Sequence, residues 1–195
     1  MRIGAAIVAI VAAVALAAQW QVSSGLMADA NTLAVAWRML GYFTVLGNLA
    51  TLYIMTIVAL TGEMQARRAA AIAVVLTVIG LGYHILLAGI WAHQGLAWWA
   101  DQGLHTAVPL LTVLWWAAFA PKSGLAWHDS LRWLIWPILY AGYAIVRGLV
   151  SGFYPYPFMD VTALGSGQVG LNVAGLGAAF VSIGVIYVSA SKAVS

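Results

Sequence analysis

Thr44 and Asn48 lie four residues apart in the stretch GYFTVLGN, residues 41–48, inside a long apolar segment. In a helix this spacing places both side chains on one face. A threonine hydroxyl becomes a useful nucleophile when a nearby base removes its proton. His105 is the candidate base, because a histidine is largely neutral near pH 7. These residue types allow acyl transfer.

Acyl transfer needs two further kinds of group. A developing oxyanion needs hydrogen-bond donors aimed at it, and Asn48, Tyr83 and Arg147 each carry donors. A carboxylate can orient the imidazole of the base. Asp101 and Asp160 are both candidates for that role, and the sequence leaves the choice between them open.

The composition predicts an integral membrane protein. The chain has 195 residues, of which 64% are hydrophobic and 7% are charged, whereas soluble domains carry about 25% charged residues. Cysteine is absent, which excludes disulfides, thiolate metal sites and cysteine nucleophiles. In such a protein the few Lys and Arg residues report membrane orientation, not nucleic-acid binding.

Apolar segments long enough to cross a bilayer predict the elements that position these side chains. We expect an all-α fold, in which residues 1–195 form a single transmembrane domain with one bundle of six helices. The first segment also resembles a signal peptide; we interpret it as a retained helix, and cleavage would leave five spans. The six predicted helices cover about 3–20, 37–60, 69–90, 103–119, 131–149 and 168–188.

Basic residues predict the orientation. With six helices, six of the eight Lys and Arg residues fall on the side of the termini, and only Arg38 and Arg147 fall on the other. Because positive loops stay in the cytoplasm, we expect both termini to be cytoplasmic. Short loops and small size favour a bacterial inner membrane.

Intramembrane polar residues tend to face a bundle interior or a wet cavity. Helices two to six each bring such residues to the outer half, which predicts a pocket open toward the outer leaflet. Singly, each has a structural explanation: threonine can bond its own helix carbonyl, asparagine can join helices, and loop acids can cap. The expected pocket residues are Thr44, Asn48, Tyr83, His84, Asp101, His105, Arg147, Tyr154, Asp160 and Asn172.

Three blocks resemble a known family: FT at 43–44, GLHTAVPLL at 103–111 and YPYPFMD at 154–160. In this order and spacing they resemble the androgen-induced protein family, which includes the androgen-dependent TFPI-regulating protein and small bacterial membrane proteins. The resemblance runs from about Trp37 to Asn172. Where animal members have an acid near the threonine, this chain reads VLGN.

The resemblance implies a multipass threonine hydrolase that cleaves fatty acid esters of hydroxy fatty acids without a cofactor. It places the nucleophile at Thr44, the essential histidine at His105 and an acid at Asp160. The expected partners are the ester substrate and membrane lipids; the oligomeric state stays open. Two alternatives are a haem protein with His84 and His105 as axial ligands and a small transport or binding protein.

Overall fold

The fold is described from a computed structural model, which describes residues 1–27, 31–90 and 93–194. Every regular element within those ranges is helical, so the predicted all-α class is confirmed there. The chain divides into two compact units, residues 1–123 and 124–195. That residues 1–195 form a single domain stays a prediction.

In its described residues the first unit contains six α-helices. Two of them continue into short π-helices, at Tyr83–Leu87 and Gly103–Ala107. The α-helices are α1 (Arg2–Leu26), α2 (Thr32–Met39), α3 (Phe43–Thr61), α4 (Ala66–Gly82), α5 (Gly95–Gln102) and α6 (Val108–Phe119).

Small side chains on α1 let its neighbours approach closely. Ala5, Val8, Ala12 and Ala15 recur at helical spacing, and all four are buried. This face packs against α3, α5 and the second π-helix. A Cβ atom built on Gly103 would lie 2.7 Å from the Cβ of Ala15. Glycine is therefore required where the second π-helix crosses α1.

Pro109 explains why the second π-helix forms. In an α-helix, residue 109 would donate its N–H to the carbonyl of residue 105, but proline has no N–H. The backbone widens instead, and the N–H of Val108 donates to the carbonyl of Gly103, five residues earlier. The segment carrying His105 is thereby π-helical. Single π-turns inside α-helices are frequent at functional sites.

The sequence misplaced the start of the second predicted helix. The chain is not helical at 40–42, and α3 begins at Phe43 after the extended residue Tyr42. Thr44 therefore lies in the first turn of α3. The helix ends at Gly62, which adopts a left-handed conformation with φ of 77°. The guanidinium of Arg2 donates to the carbonyls of Ala59 and Leu60 there.

The second unit contains α7 (Trp127–Arg132), α8 (Ile135–Ser151), a short 3₁₀ helix (Pro157–Met159) and α9 (Val161–Ala193). Helix α9 packs against α7, α8 and the 3₁₀ helix. It begins earlier than predicted because Asp160 caps its amino end, and it kinks at Gly165, where φ is 77°. The helical region therefore starts before the glycine-rich stretch 165–170, and the kink at Gly165 interrupts it there.

Among the described residues, five helical segments are long and apolar enough to cross a membrane. This supports a membrane protein, but the predicted fourth span, 103–119, is not among the five. In that region the chain forms the second π-helix followed by α6. The five segments are Arg2–Leu26, Phe43–Thr61, Ala66–Leu87, Trp127–Ser151 and Val161–Ala193.

Candidate active site

Thr44 and His105 meet in the first unit. The Oγ1 atom of Thr44 lies 3.1 Å from Nε2 of His105. Thr44 is 7% exposed, and the His105 side chain is 16% exposed. This is hydrogen-bonding distance for a nucleophile and its general base.

Asp101 orients the histidine from the opposite side of the ring. Nδ1 of His105 lies 3.0 Å from the carboxylate Oδ1 of Asp101 and 3.0 Å from its backbone carbonyl. Both atoms are acceptors, so Nδ1 carries the proton and Nε2 presents its lone pair to Thr44. The result is a threonine–histidine–aspartate relay, in which the carboxylate fixes the tautomer and would stabilise a protonated ring.

Tyr83 supports both members of this pair. Its ring stacks on the imidazole of His105, with centroids 4.2 Å apart and planes inclined by 18°. Its hydroxyl donates to Oδ2 of Asp101, the oxygen not used by His105. In this arrangement the proton of Tyr83 is directed at the carboxylate of Asp101, which is an orienting contact rather than one to a substrate oxyanion.

The hydrogen bonds of Asn48 also differ from those expected of an oxyanion donor. Its side-chain nitrogen donates to the carbonyl of Thr44 at 2.8 Å and to the carbonyl of Leu104 at 3.2 Å. An amide nitrogen has two protons, so both are used: one within α3, and one that joins α3 to the second π-helix. Its Oδ1 atom is buried and has no hydrogen-bond partner in the described part of the chain.

His84 belongs to a separate polar group. Its Nε2 lies 3.0 Å from Oγ1 of Thr106, and that hydroxyl donates to the side chain of Gln102 at 2.9 Å. Because Thr106 uses its proton on Gln102, it accepts the proton of His84. The Nε2 atoms of His84 and His105 are thus both engaged with threonine hydroxyls, an arrangement that does not favour axial haem ligation.

The remaining predicted site residues lie in the second unit. Asp160 acts as a helix cap, with its Oδ1 accepting the N–H groups of Thr162 and Ala163. Asn172 donates to the carbonyl of Phe158 at 2.8 Å. Arg147 is buried and donates to the hydroxyl of Tyr143 at 3.0 Å. The aromatic ring of Tyr154 packs against Gly148.

The amino end of α3 adds a positive electrostatic field at Thr44. The peptide dipoles of a helix place partial positive charge at its first turn, and Thr44 lies in that turn. Negative charge that develops beside Oγ1 is therefore stabilised without an asparagine donor.

The sequence contained a signal that favours Asp101 over Asp160. Asp101 and His105 are four residues apart, and side chains at that spacing meet on a helix. The roles of Gln102 and Thr106 were missed, because their partner His84 comes from another helix.

Comparison with protein-family models, with curated proteins and with solved structures gives no match for this chain. The resemblance to the androgen-induced protein family therefore stays a prediction.

Proposed function

We propose that this protein is an intramembrane threonine hydrolase that cleaves carboxylic ester bonds of lipids through an acyl-threonine intermediate. The observation that carries the proposal is the relay from Thr44 Oγ1 through His105 to the carboxylate of Asp101. Each member is held by a second contact, so the relay exists before any substrate binds. Such preorganisation is a main source of rate enhancement in enzymes.

Acylation uses each part of the relay. Nε2 of His105 takes the proton of the Thr44 hydroxyl as Oγ1 attacks the ester carbonyl carbon. The carboxylate of Asp101 stabilises the imidazolium that forms, and the positive amino end of α3 stabilises the oxyanion. The intermediate collapses when His105 gives its proton to the leaving alkoxide, which departs as the hydroxy lipid.

Deacylation repeats these steps with water as the nucleophile. His105 takes a proton from water as the water oxygen attacks the acyl carbon. The bond from this carbon to Oγ1 of Thr44 then breaks, and the hydroxyl regains its proton from His105. The free fatty acid leaves. Neither a metal nor an organic cofactor enters these steps.

The depth of His105 in the membrane favours a substrate whose ester bond lies part-way along an acyl chain. Trp98 and Trp99, on α5, are 43% and 67% exposed, and exposed tryptophans mark the membrane–water interface. At about 1.5 Å per residue, His105 lies roughly 10 Å below Trp98 along the same helical stretch. The esters of glycerolipids lie beside the headgroups, so a deeper ester is the better substrate. Fatty acid esters of hydroxy fatty acids have this geometry.

The length of one further helical stretch supports six spans, and with six spans the excess of basic residues on the side of the termini supports cytoplasmic termini. From Gly95 to Phe119 the chain is continuously helical, and at about 1.5 Å per residue it exceeds the roughly 30 Å of a bilayer core. Counting it as a span gives six. The active site then faces the outer leaflet of what we take to be a bacterial inner membrane.

The test uses the detergent-purified protein with a palmitic acid ester of hydroxystearic acid. Released palmitate is measured for the natural chain and for Thr44→Ala, Thr44→Ser and His105→Ala. We expect the two alanine variants to lose roughly 10³-fold or more of the rate. Thr44→Ser should keep much of it, since serine also supplies a hydroxyl.

Thr51→Ala and His128→Ala are the matched controls. Thr51 is a buried threonine on the same helix whose hydroxyl donates to the carbonyl of Gly47. His128 is largely exposed and lies in the second unit. Both controls should hydrolyse the ester at nearly the natural rate. An inert natural chain, or equal turnover by Thr44→Ala, would refute the proposal.

A further inference from the structure

The buried Oδ1 atom of Asn48 is an acceptor in need of a donor. Asn48 has 0% exposure, and no described residue donates to its Oδ1. The amide orientation is fixed, because the nitrogen faces two carbonyl oxygens, those of Thr44 and Leu104, and carbonyl oxygens can only accept. A buried acceptor without a donor is unfavourable. The site therefore favours a ligand that carries a proton.

The location of this acceptor identifies the ligand. The side-chain nitrogen of Asn48 donates hydrogen bonds to the backbone carbonyl of Thr44, the nucleophile, and to that of Leu104, the residue before His105. A small donor beside Oδ1 thus lies next to the reacting groups. Water is the smallest donor and is the second substrate of ester hydrolysis.

We propose that Oδ1 of Asn48 binds and orients the hydrolytic water during deacylation. This inference depends on the proposed hydrolase function. Once Thr44 is acylated, Nε2 of His105 has lost its hydroxyl partner and is available to a new donor. Water donates one proton to Nε2 and the other to Oδ1 of Asn48, which leaves an oxygen lone pair directed at the acyl carbon.

The step balances as follows. The water oxygen forms a bond to the acyl carbon, and His105 takes one proton. The other proton stays on that oxygen, hydrogen-bonded to Asn48. The bond between the acyl carbon and Oγ1 of Thr44 then breaks, Oγ1 takes the proton from His105, and the carboxylic acid is released.

Methanol distinguishes this role from a purely structural one. Methanol has a single hydroxyl proton, which His105 must take, so it cannot also donate to Asn48. In the natural chain water should therefore be favoured as the acyl acceptor. In Asn48→Thr, whose hydroxyl can donate to the carbonyl of Thr44 as Thr51 does to Gly47, this preference should be lost.

The experiment supplies the purified protein with the same ester in buffer containing methanol, and measures methyl palmitate and free palmitate. For Asn48→Thr we expect the ratio of methyl ester to acid to rise about tenfold, the equivalent of one hydrogen bond. Thr51→Val, the control, should keep the natural ratio. Asn48→Asp keeps an acceptor at this position and should shift the ratio less than Asn48→Thr.

The product ratio does not depend on how much of the protein folds, because both products come from the same acyl-enzyme. An unchanged ratio in Asn48→Thr, with turnover that still requires Thr44, overturns the water-binding role and leaves the hydrolase intact. If Asn48→Thr yields no active protein, Asn48→Ser is measured in the same way. Failure of the hydrolase proposal is different: neither product forms, or both form equally in Thr44→Ala.

Discussion

Oγ1 of Thr44 lies 3.1 Å from Nε2 of His105, although the two residues are 61 positions apart in the chain. The contact joins the first turn of α3 to the π-helix Gly103–Ala107. It is one link in a relay that continues from Nδ1 of His105 to the carboxylate of Asp101. A buried polar relay of this kind has a cost in folding, and the proposed hydrolase function would explain why the chain keeps it.

Asp101→Asn tests the orienting carboxylate. The amide can present its N–H to Nδ1 of His105, which favours the wrong tautomer and leaves the imidazolium without a negative partner. We expect kcat for ester hydrolysis to fall roughly 10³-fold with little change in KM. Steady-state kinetics in detergent provide the measurement.

Asp129→Asn is the control for this change. Asp129 is also buried, but its carboxylate accepts the N–H of Ala126 and pairs with Arg132. Asp129→Asn should affect stability and leave kcat close to that of the natural chain. Equal kcat values for the Asp101→Asn variant and the natural chain would contradict the role of Asp101.

Tyr83 is expected to contribute through its ring and through its hydroxyl. Tyr83→Phe keeps the ring stacked on His105 and loses the hydrogen bond to Asp101, so kcat should fall about tenfold. Tyr83→Leu loses both contacts, and a larger loss, about 100-fold, is expected. Indistinguishable kcat values for the two variants would show that the stacked ring has no part in catalysis.

Gly103→Ala tests the close crossing of α1 and the second π-helix. The added Cβ would lie 2.7 Å from the Cβ of Ala15, so a backbone must move. We expect a loss of about 1–3 kcal/mol in unfolding free energy and slower hydrolysis, because this segment carries His105. Thermal unfolding and ester turnover are measured together.

A second substitution makes this test specific. Ala15→Gly removes the opposing Cβ, so the double variant should regain much of the stability and activity lost in Gly103→Ala. Gly89→Ala serves as the control, since a Cβ there meets no atom of the described residues within 4 Å. If Ala15→Gly gives no recovery, the close crossing is not what constrains residue 103.

Asp160→Ala tests the helix cap in the second unit. Its carboxylate accepts two N–H groups at the start of α9, each at 2.9 Å. Losing them should lower the unfolding free energy by about 1 kcal/mol. Asp160→Asn keeps a capping oxygen and should be close to natural in thermal unfolding. An alanine variant as stable as the natural chain would contradict the capping role.

The fold class could be predicted because long apolar segments leave the chain few alternatives to membrane helices. Helix ends could not be predicted as well, since they depend on local geometry. The apolar run through 37–60 gives no indication that the chain leaves the helix before Phe43. Pro109 does indicate a disturbed helix. It does not indicate that the backbone forms a π-helix at His105.

Pairing within the site was predictable where residue type restricts chemistry. A threonine nucleophile needs a base, and His105 was the expected one. The role of Asn48 could not be predicted, because it depends on the carbonyl of Leu104, which comes from a distant part of the chain. The role of the Tyr83 hydroxyl could not be predicted either, since Tyr83 lies in the first π-helix and its acceptor, Asp101, lies in α5.

The most direct test of the central claim is detection of the acyl-threonine. The purified protein is mixed with the palmitic acid ester of hydroxystearic acid, quenched in acid during turnover, digested and analysed by mass spectrometry. The account predicts palmitate attached to the peptide containing Thr44, at higher occupancy in Asn48→Thr and absent in Thr44→Ala. Turnover at the natural rate in Thr44→Ala, or palmitate attached to a different residue, would contradict it.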